Sequence, residues 1–319
     1  MKPTLSLAAL LYAAFMTPMS LCADRAIEAA PHAVTAAMKS NARAVAPWLD
    51  PERDEPAGTR YLTFFSTTLG QDASYQAYFP PGYESDSKRR YPVVYWLHGL
   101  GGDQRRGVPF TENLDRAIKA GTAPAMIVIL INGLRDRFYC DAQDGSVPVE
   151  SVIVNDLIPA VDKVHRTIAR REARVIEGAS MGGFGALCLG LKHPEIFGVI
   201  SSVMPGIHDE GSIAEMYPNT FRSVYGGNKA YFQANSPWNL LQKNADALRG
   251  RTAIRLWIGG ADLEWRQERN ARFHAALNKL KIEHEYRVIQ GVAHAFLSLY
   301  EKMGDENWNF YRRVLPTGN

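Results

Sequence analysis

Short apolar runs alternate with helix-like patterns along most of this chain. Tyr91–Leu97 is almost wholly apolar and is followed by glycines, as expected of a strand covered on both faces. Strands that alternate with helices over about 250 residues predict an α/β fold with a mostly parallel sheet. Five further runs have the same character: Met126–Ile131, Ala173–Glu177, Gly198–Val203, Ile254–Ile258 and Tyr286–Ile289.

Two strands and three helices complete the predicted core. Tyr61–Phe65 and Ser74–Phe79 read as paired strands, because a Pro-Pro-Gly turn closes the second of them. Ser151–Arg166 has helical apolar spacing, and we expect its proline, Pro159, to kink it. Two later segments also have helical spacing: Glu264–Leu280 and Ala295–Arg313.

The predicted organisation has three parts. Residues 1–23 form a signal peptide, residues 24–58 an Ala-rich and loosely attached leader segment, and residues 59–319 one α/β domain. Within that domain, residues 205–250 interrupt the alternation with Pro, Gly, Asn and several aromatic residues. We expect an irregular insertion, or lid, over the sheet edge after the sixth or seventh strand.

The N-terminus predicts export. Met1-Lys2 gives a positive start, Leu5–Phe15 is apolar, and a small residue precedes Asp24. This apolar segment is shorter than the roughly 20 residues that a membrane span needs. We therefore expect a secreted or periplasmic protein with no stable membrane association after cleavage, the alternative being an uncleaved anchor.

Composition excludes some classes of function. The formal net charge is +3, and the only short basic run is Lys88–Arg90, so we expect no nucleic-acid partner. Cleavage would remove Cys22 and leave Cys140 and Cys188, which have no metal-ligand spacing. Whether these two cysteines pair is left open. No metal or cofactor is implied.

One serine lies between glycines where a strand should turn into a helix. Gly178-Ala179-Ser180-Met181-Gly182 fits the G-x-S-x-G pattern. A strand-like run precedes it and a helix-like run follows it, which is the setting that this motif needs. Such a turn strains the serine backbone, and side chains at either glycine would collide with the flanking strand and helix. We therefore expect Ser180 to be a nucleophile at the end of the sheet.

A serine nucleophile needs a histidine base and an acid that orients the base. With the chain order serine, acid, histidine, both partners should follow Ser180. His294 lies just after a predicted strand, whereas the other downstream histidines lie in helix, strand or insertion contexts or should face solvent. Asp262 follows a strand and a glycine turn, so we favour it as the acid. Glu264 remains the alternative.

The developing oxyanion needs two backbone N–H donors. One should come from Met181, directly after the nucleophile. The other should come from the glycine-rich loop after the strand Tyr91–Leu97, which reads His98-Gly99-Leu100-Gly101-Gly102. His98 precedes the serine, so we interpret it as stabilising this turn rather than as the base.

Together these motifs resemble the esterase D family of α/β-hydrolases, which includes feruloyl and acetylxylan esterases. The resemblance covers residues 61–313, and the Ser-Met-Gly-Gly run and the His-Gly-Leu-Gly-Gly loop carry it most specifically. It implies an α/β-hydrolase fold, with a mostly parallel central sheet flanked by helices. It further implies residue roles, which are a triad of Ser180, Asp262 and His294, oxyanion donors Leu100 and Met181, and substrate contacts at His98, Gly99, Tyr139 and Asp141. Tyr139 and Asp141 belong to a segment that resembles a loop bordering the acyl pocket.

The resulting hypothesis is a serine esterase acting through an acyl-enzyme on small-molecule or polysaccharide esters. Exported members of the family resemble carbohydrate esterases most, which favours acetyl or feruloyl esters of sugars. Three alternatives stay open: an acyltransferase with the same triad, an S-formylglutathione hydrolase-like thioesterase, and a non-catalytic carbohydrate-binding protein.

Overall fold

The computed structural model describes residues 47–51 and 53–316. The predicted signal peptide, residues 1–23, lies outside the described residues, as does the leader segment up to residue 46. The predicted limits of the leader and of the main domain therefore stay predictions. Within the described ranges, no helix is both long enough and apolar enough to cross a membrane.

All eight predicted strands are present, with ends shifted by a few residues. They form one 8-stranded sheet in the order β1-β2-β4-β3-β5-β6-β7-β8. The strands are β1 Thr59–Ser66, β2 Gln71–Tyr78, β3 Val93–Leu97, β4 Ile127–Ile131, β5 Arg174–Ala179, β6 Val199–Val203, β7 Ala253–Gly259 and β8 Glu285–Ile289.

The sheet is mostly parallel, as the alternation of strands and helices predicted. β1 pairs with β2 and β2 with β4 in antiparallel fashion, whereas β3 to β8 pair in parallel. Every residue of β3, β4 and β6 is buried. Two clusters of buried apolar residues cover the faces of the sheet, which explains why its central strands read as continuous apolar runs. Their carboxyl ends share one edge, and the loops that leave this edge carry the candidate site.

Eleven helical segments accompany the sheet in the described part of the chain, besides short 3₁₀ turns and one π-helical stretch at Val152–Leu157. They are α1 Val108–Lys119, α2 Val149–Ser151, α3 Ile158–Val164, α4 Met181–Lys192, α5 Glu210–Met216, α6 Pro218–Ser223, α7 Lys229–Ala234, α8 Pro237–Leu248, α9 Glu264–Lys279, α10 Phe296–Met303 and α11 Asp305–Val314.

Two helix predictions need comment. The predicted helix Ala295–Arg313 is wrong as a single element, because Gly304 has φ of 50° and separates α10 from α11. The predicted helix Ser151–Arg166 is one run made of α2, the π-helical stretch and α3. Pro159 lies near the start of α3, where the π-helical stretch ends. The wider π turn leaves room for a ring that would clash with a carbonyl of an α-helical turn.

The segment 205–250 follows the sixth strand and is helical rather than irregular, which corrects the prediction. It contains α5 to α8, and α8 packs against α4. Polar side chains cap these short helices, since Asp209, Asn228 and Ser236 accept hydrogen bonds from first-turn N–H groups. Most of its aromatic rings pack in the core, whereas Tyr217 reaches the cavity beside Ser180.

Candidate active site

Ser180 occupies the sharp turn from β5 into α4. Its backbone has φ of 60° and ψ of −115°, a conformation that side-chain-bearing residues rarely adopt. The Ser180 N–H donates to the carbonyl of Val203 on the neighbouring strand, at 2.9 Å, which helps to hold the turn. Strain of this kind costs about 1–3 kcal/mol and persists only where surrounding structure imposes it.

The flanking glycines leave no space for a side chain. A Cβ at Gly178 would lie 2.4 Å from the Gly182 carbonyl carbon, and one at Gly182 would lie 2.0 Å from the Leu97 carbonyl oxygen. Strand and helix therefore approach each other too closely at this turn for any residue except glycine. The G-x-S-x-G spacing follows from that crowding.

His294 lies in the loop between β8 and α10, and its ring bridges two side chains from distant parts of the chain. Its Nε2 is 2.9 Å from Ser180 Oγ, and its Nδ1 is 2.7 Å from Asp262 Oδ2. The His294 side chain is 29% exposed, so solvent reaches the ring. With Nδ1 protonated and donating to the carboxylate, Nε2 is left free to accept the serine proton.

Asp262 follows β7, and its carboxylate is fully buried. Its Oδ1 accepts from the Leu263 N–H at 2.7 Å and from Arg266 Nη1 at 3.1 Å. Burial alone would raise the pKa of this carboxyl, but the His294 hydrogen bond, the Leu263 N–H and the Arg266 charge hold the pKa below its usual value. The alternative acid, Glu264, is the first residue of α9 and makes no hydrogen bond with the imidazole.

The two predicted oxyanion donors, Leu100 and Met181, belong to segments next to Ser180. Met181 opens α4, so its N–H has no partner within that helix. Leu100 belongs to the loop after β3, and a Cβ placed on its neighbour Gly99 would lie 3.5 Å from the Ser180 Cβ. In the described part of the chain, neither the Leu100 nor the Met181 N–H donates to another backbone or side-chain group. Both are thus available to a substrate oxygen.

Of the four predicted substrate contacts, Gly99 lines the cavity beside Ser180, whereas His98, Tyr139 and Asp141 do not line it. His98 is fully buried, contacts the Gly99 carbonyl through Nδ1, and has its pKa lowered to about 4 by burial. The buried Tyr139 hydroxyl donates to the His98 carbonyl at 2.9 Å and so supports the loop that carries Leu100. Asp141 accepts from the Ser151 N–H and hydroxyl, and so holds the start of the helical run.

The cavity beside Ser180 has a volume of about 330 Å³ and is lined partly by residues that the sequence did not single out. The sequence could have indicated Arg266, because it lies four residues after Asp262, a spacing at which side chains of a helix meet. The others depend on tertiary packing. The five are Trp96, Arg106, Met204, Arg266 and Phe296, and Tyr217 of the aromatic segment 205–250 also lines the cavity. A larger cavity, of about 410 Å³, lies at the amino ends of β6 and β7 and has no contact with the serine.

The remaining polar candidates lie elsewhere. His193 was expected to face solvent, but its Nε2 is 2.7 Å from Glu150 Oε1 and it is mostly buried, so that prediction is wrong. Cys140 and Cys188 are both buried and unpaired. Across residues 47–51 and 53–316, no group of three or more His, Cys, Asp or Glu side chains is placed to hold a metal ion. The absence of a cofactor stays a prediction.

Comparison with known proteins gives one consistent result. A family model described as "Putative esterase" matches residues 66–319. A xylanase/feruloyl esterase of Xylanibacter ruminicola is 32% identical over 175 residues, which are 52% of this chain and 24% of that protein. An acetyl esterase of Caldicellulosiruptor saccharolyticus is 27% identical over 184 residues, which are 55% of this chain and 67% of that protein.

Solved structures show the same fold. A ferulic acid esterase superposes with a TM-score of 0.66 at 22% identity, covering 79% of this chain and 98% of the other. At that identity the likeness concerns the fold alone, which is the predicted α/β-hydrolase architecture. The chain spans less than a third of the length of the first curated relatives it matches, at 24% and 31%.

Proposed function

The chain belongs to the esterase family whose model matches residues 66–319, and from this premise we propose that it is a serine esterase acting through an acyl-enzyme. The proposal rests on one observation: Ser180 Oγ, the two nitrogens of His294 and the Asp262 carboxylate are linked by contacts of 2.9 and 2.7 Å. Such a chain of contacts is what turns a weakly nucleophilic hydroxyl into a nucleophile.

In the proposed reaction, His294 Nε2 takes the Ser180 proton while Oγ attacks the ester carbonyl carbon. The Leu100 and Met181 N–H groups bind the oxyanion that forms. Asp262 keeps Nδ1 protonated and stabilises the imidazolium. His294 then returns the proton to the leaving alcohol oxygen, and the acyl group stays on Ser180. Water, deprotonated by His294, then attacks the acyl carbon. The bond from that carbon to Ser180 Oγ breaks, His294 returns the proton to Oγ, and the acid leaves.

We propose acetyl or feruloyl esters of carbohydrates as substrates. The names of the xylanase/feruloyl esterase and of the acetyl esterase support this class. The cavity of about 330 Å³ is within the range of small-molecule sites, and Tyr217 and Phe296 offer rings on which a sugar or phenolic ring could pack. Export, which rests on the N-terminal sequence alone, would give access to cell-wall polymers.

Labelling with a fluorophosphonate tests the nucleophile directly. We expect the purified protein to be labelled, Ser180→Ala to take up no label, and Ser85→Ala to be labelled fully, because Ser85 only contacts a nearby carbonyl at an exposed turn. Circular dichroism should show that all three proteins are folded. Equal labelling of the wild type and Ser180→Ala would overturn the proposed mechanism.

Product analysis tests the reaction and its alternatives. We expect p-nitrophenyl acetate, methyl ferulate and acetylated xylan to be cleaved to free acid, and these assays rank the acyl groups. Each assay should be repeated with an added sugar acceptor. Acyl transfer to the sugar exceeding release of free acid would favour the acyltransferase instead. A folded protein that binds xylan but cleaves no ester would favour the carbohydrate-binding alternative.

A further inference from the structure

Two guanidinium groups line the cavity beside Ser180. Its lining includes Arg106 and Arg266, and no carboxylate of the described residues lines it. Support of Asp262 accounts for one donor of Arg266, but it accounts neither for Arg106 nor for Arg266 Nη2. Guanidinium groups suit carboxylate and phosphate because their donors match the geometry of those anions.

Arg106 has no acidic partner among the described residues. It lies on the turn Gln104–Gly107 that follows the oxyanion loop, and its side chain is exposed. Its neighbour Arg105 differs, because Arg105 Nη1 is 3.0 Å from Glu55 Oε1 and donates to the Asp54 carbonyl. The one arginine of this pair that lines the cavity is thus the one that forms no ion pair within the described ranges.

Arg266 is fixed in place and retains donors. Its Nη1 donates to Asp262, its guanidinium lies 4.6 Å from the Trp265 ring centre, and its side chain is only 13% exposed. Among the described residues, no acceptor contacts Nη2. Because two contacts already hold the side chain, binding an anion there would cost little further side-chain entropy.

Arg266 lies on the side of Ser180 where the alcohol portion of the ester should bind. In the proposed function, His294 delivers a proton to the leaving alcohol oxygen, so that portion lies on the imidazole side of Ser180. Arg266 bonds the carboxylate that holds this imidazole, which places it on the same side. We infer that the natural ester carries an anionic group, a carboxylate or phosphate, on its alcohol portion, that Arg266 binds this group, and that Arg106, which lines the same cavity, adds to its attraction. This inference rests on the proposed esterase function.

Matched acetyl esters test it. 4-Acetoxybenzoate carries an anionic alcohol portion, and its methyl ester is the neutral counterpart. 4-Acetoxyphenyl phosphate supplies the phosphate form. Each kcat/KM is divided by the rate of alkaline hydrolysis of the same ester, to remove differences in leaving-group reactivity. We expect the wild type to favour the better of the two anionic esters by roughly tenfold or more, since hydrogen bonds between charged groups are worth that much. The preference should fall as salt concentration rises.

Variants separate anion binding from support of the triad. Arg106→Gln and Arg266→Gln should each lower the anionic-to-neutral ratio severalfold. Arg266→Gln should in addition lower kcat for both esters, because Asp262 loses a partner. Arg116→Gln is the control for net charge, since Arg116 is an exposed residue of α1 that contacts Asn113 rather than the cavity. Its ratio should match that of the wild type.

The outcomes are distinguishable. Cleavage of the neutral ester with no anionic preference, or with a preference that neither cavity variant changes, would overturn the inference and leave the esterase function intact. Preference for an anion on the acyl side, measured with mono-4-nitrophenyl succinate against 4-nitrophenyl butyrate, would also overturn it. Failure to cleave any ester or to bind fluorophosphonate would overturn the function and the inference together.

Discussion

Two polar networks in this protein draw on the same three stretches of chain and differ mainly in burial. Each stretch, at β5, at β7 and around the start of α10, contributes one residue to the site at the sheet edge and one to a network in the interior. The pairs are Ser180 with Glu177, Asp262 with Arg255, and His294 with Tyr300.

The interior network is closed to solvent. The Glu177 and Arg255 side chains are both 0% exposed and lie 3.4 Å apart. The hydroxyls of Tyr300 and Tyr311 donate to the Glu177 carboxylate. Arg255 also donates to Ser201 at 2.7 Å, and its guanidinium lies 4.2 Å from the Trp257 ring centre. Burial raises the pKa of Glu177, whereas the Arg255 charge and the Tyr300 hydroxyl act in the opposite direction.

Burial decides what each of the two networks can do. At the sheet edge, an exposed imidazole connects a buried carboxylate to the serine, so protons can move along the contacts and exchange with solvent. In the interior, every charge is paired and dry, so the network fixes positions. It ties α10 and α11 to β5, the strand that leads into Ser180, and α10 begins two residues after His294. The buried network therefore braces the elements that carry the proposed active site.

We expect the largest loss of activity from Asp262→Asn, a substitution that disrupts only the network at the sheet edge. Asp262→Asn keeps the shape of the side chain but favours the wrong imidazole tautomer, so we expect kcat to fall by about 10³–10⁴. Thermal unfolding should change little in comparison. Steady-state kinetics with p-nitrophenyl acetate checks the first expectation and calorimetry the second.

Glu264→Gln is the matched control, because Glu264 starts α9 two residues later and makes no hydrogen bond with His294. Its kcat should stay within about twofold of the wild-type value, as expected for a surface substitution. A loss in Glu264→Gln comparable with that in Asp262→Asn would show that the acid has been misassigned.

The second prediction breaks the interior network. Glu177→Gln leaves the buried Arg255 charge unpaired, so we expect the free energy of unfolding to fall by about 3–5 kcal/mol. Urea denaturation monitored by tryptophan fluorescence measures this loss. Active-site titration with fluorophosphonate then gives kcat per folded molecule.

A double variant separates the loss of the charge pair from the loss of packing and hydrogen bonding. Glu177→Gln combined with Arg255→Met removes both charges, and it should be more stable than Glu177→Gln alone because no buried charge is left unpaired. A double variant less stable than the single one would mean that packing and hydrogen bonding, not charge pairing, dominate the interior network.

The sequence predicted the edge network better than the interior one, for a physical reason. Strand ends and the glycines around Ser180 are set by local patterns, and the parallel sheet brings its carboxyl ends together. These two features were enough to predict that Ser180, Asp262 and His294 lie close together. Side-chain direction is different, because Tyr139 was expected beside the substrate and instead points behind the loop that carries Leu100.

Other differences also arise from tertiary packing. A single glycine with positive φ, Gly304, ends a helix whose apolar spacing continues through it. The pairing of Glu177 with Arg255 joins residues 78 positions apart, and nothing in the local pattern of either strand indicates it. Arg106 and Arg266 face the cavity because of how a turn and a helix pack, which residue spacing does not encode.

The smallest expected effect is a change in stability at a third polar network, formed by Glu150, Lys192 and His193, which is partly buried. The side chains of Glu150 and His193 are 11% and 19% exposed, and Lys192 Nζ also bonds Glu150 at 2.8 Å. Burial opposes the charge on His193, but the Glu150 hydrogen bond outweighs it and raises the His193 pKa above 6.5. Burial likewise opposes the charge on Glu150, but His193 and Lys192 hold the Glu150 pKa below 4.5.

The directions of these two pKa shifts define the pH range in which the Glu150–His193 contact stabilises the protein. The contribution of His193 is fully present below pH 6.5 and is lost as the pH rises through its raised pKa. That of Glu150 is present above pH 4.5 and is lost as the pH falls through its lowered pKa. His193→Gln should therefore destabilise the protein by about 1 kcal/mol near pH 5.5 and by less near pH 8.5.

His284→Gln is the control of opposite sign. Burial lowers the His284 pKa, so its neutral form is favoured in the folded protein and its contribution is lost as the pH falls. Replacing His284 should cost more near pH 8.5 than near pH 5.5. Denaturation curves with the same pH trend for both variants would contradict the opposite directions of the two pKa shifts, and with them the claim that the Glu150 contact governs the titration of His193.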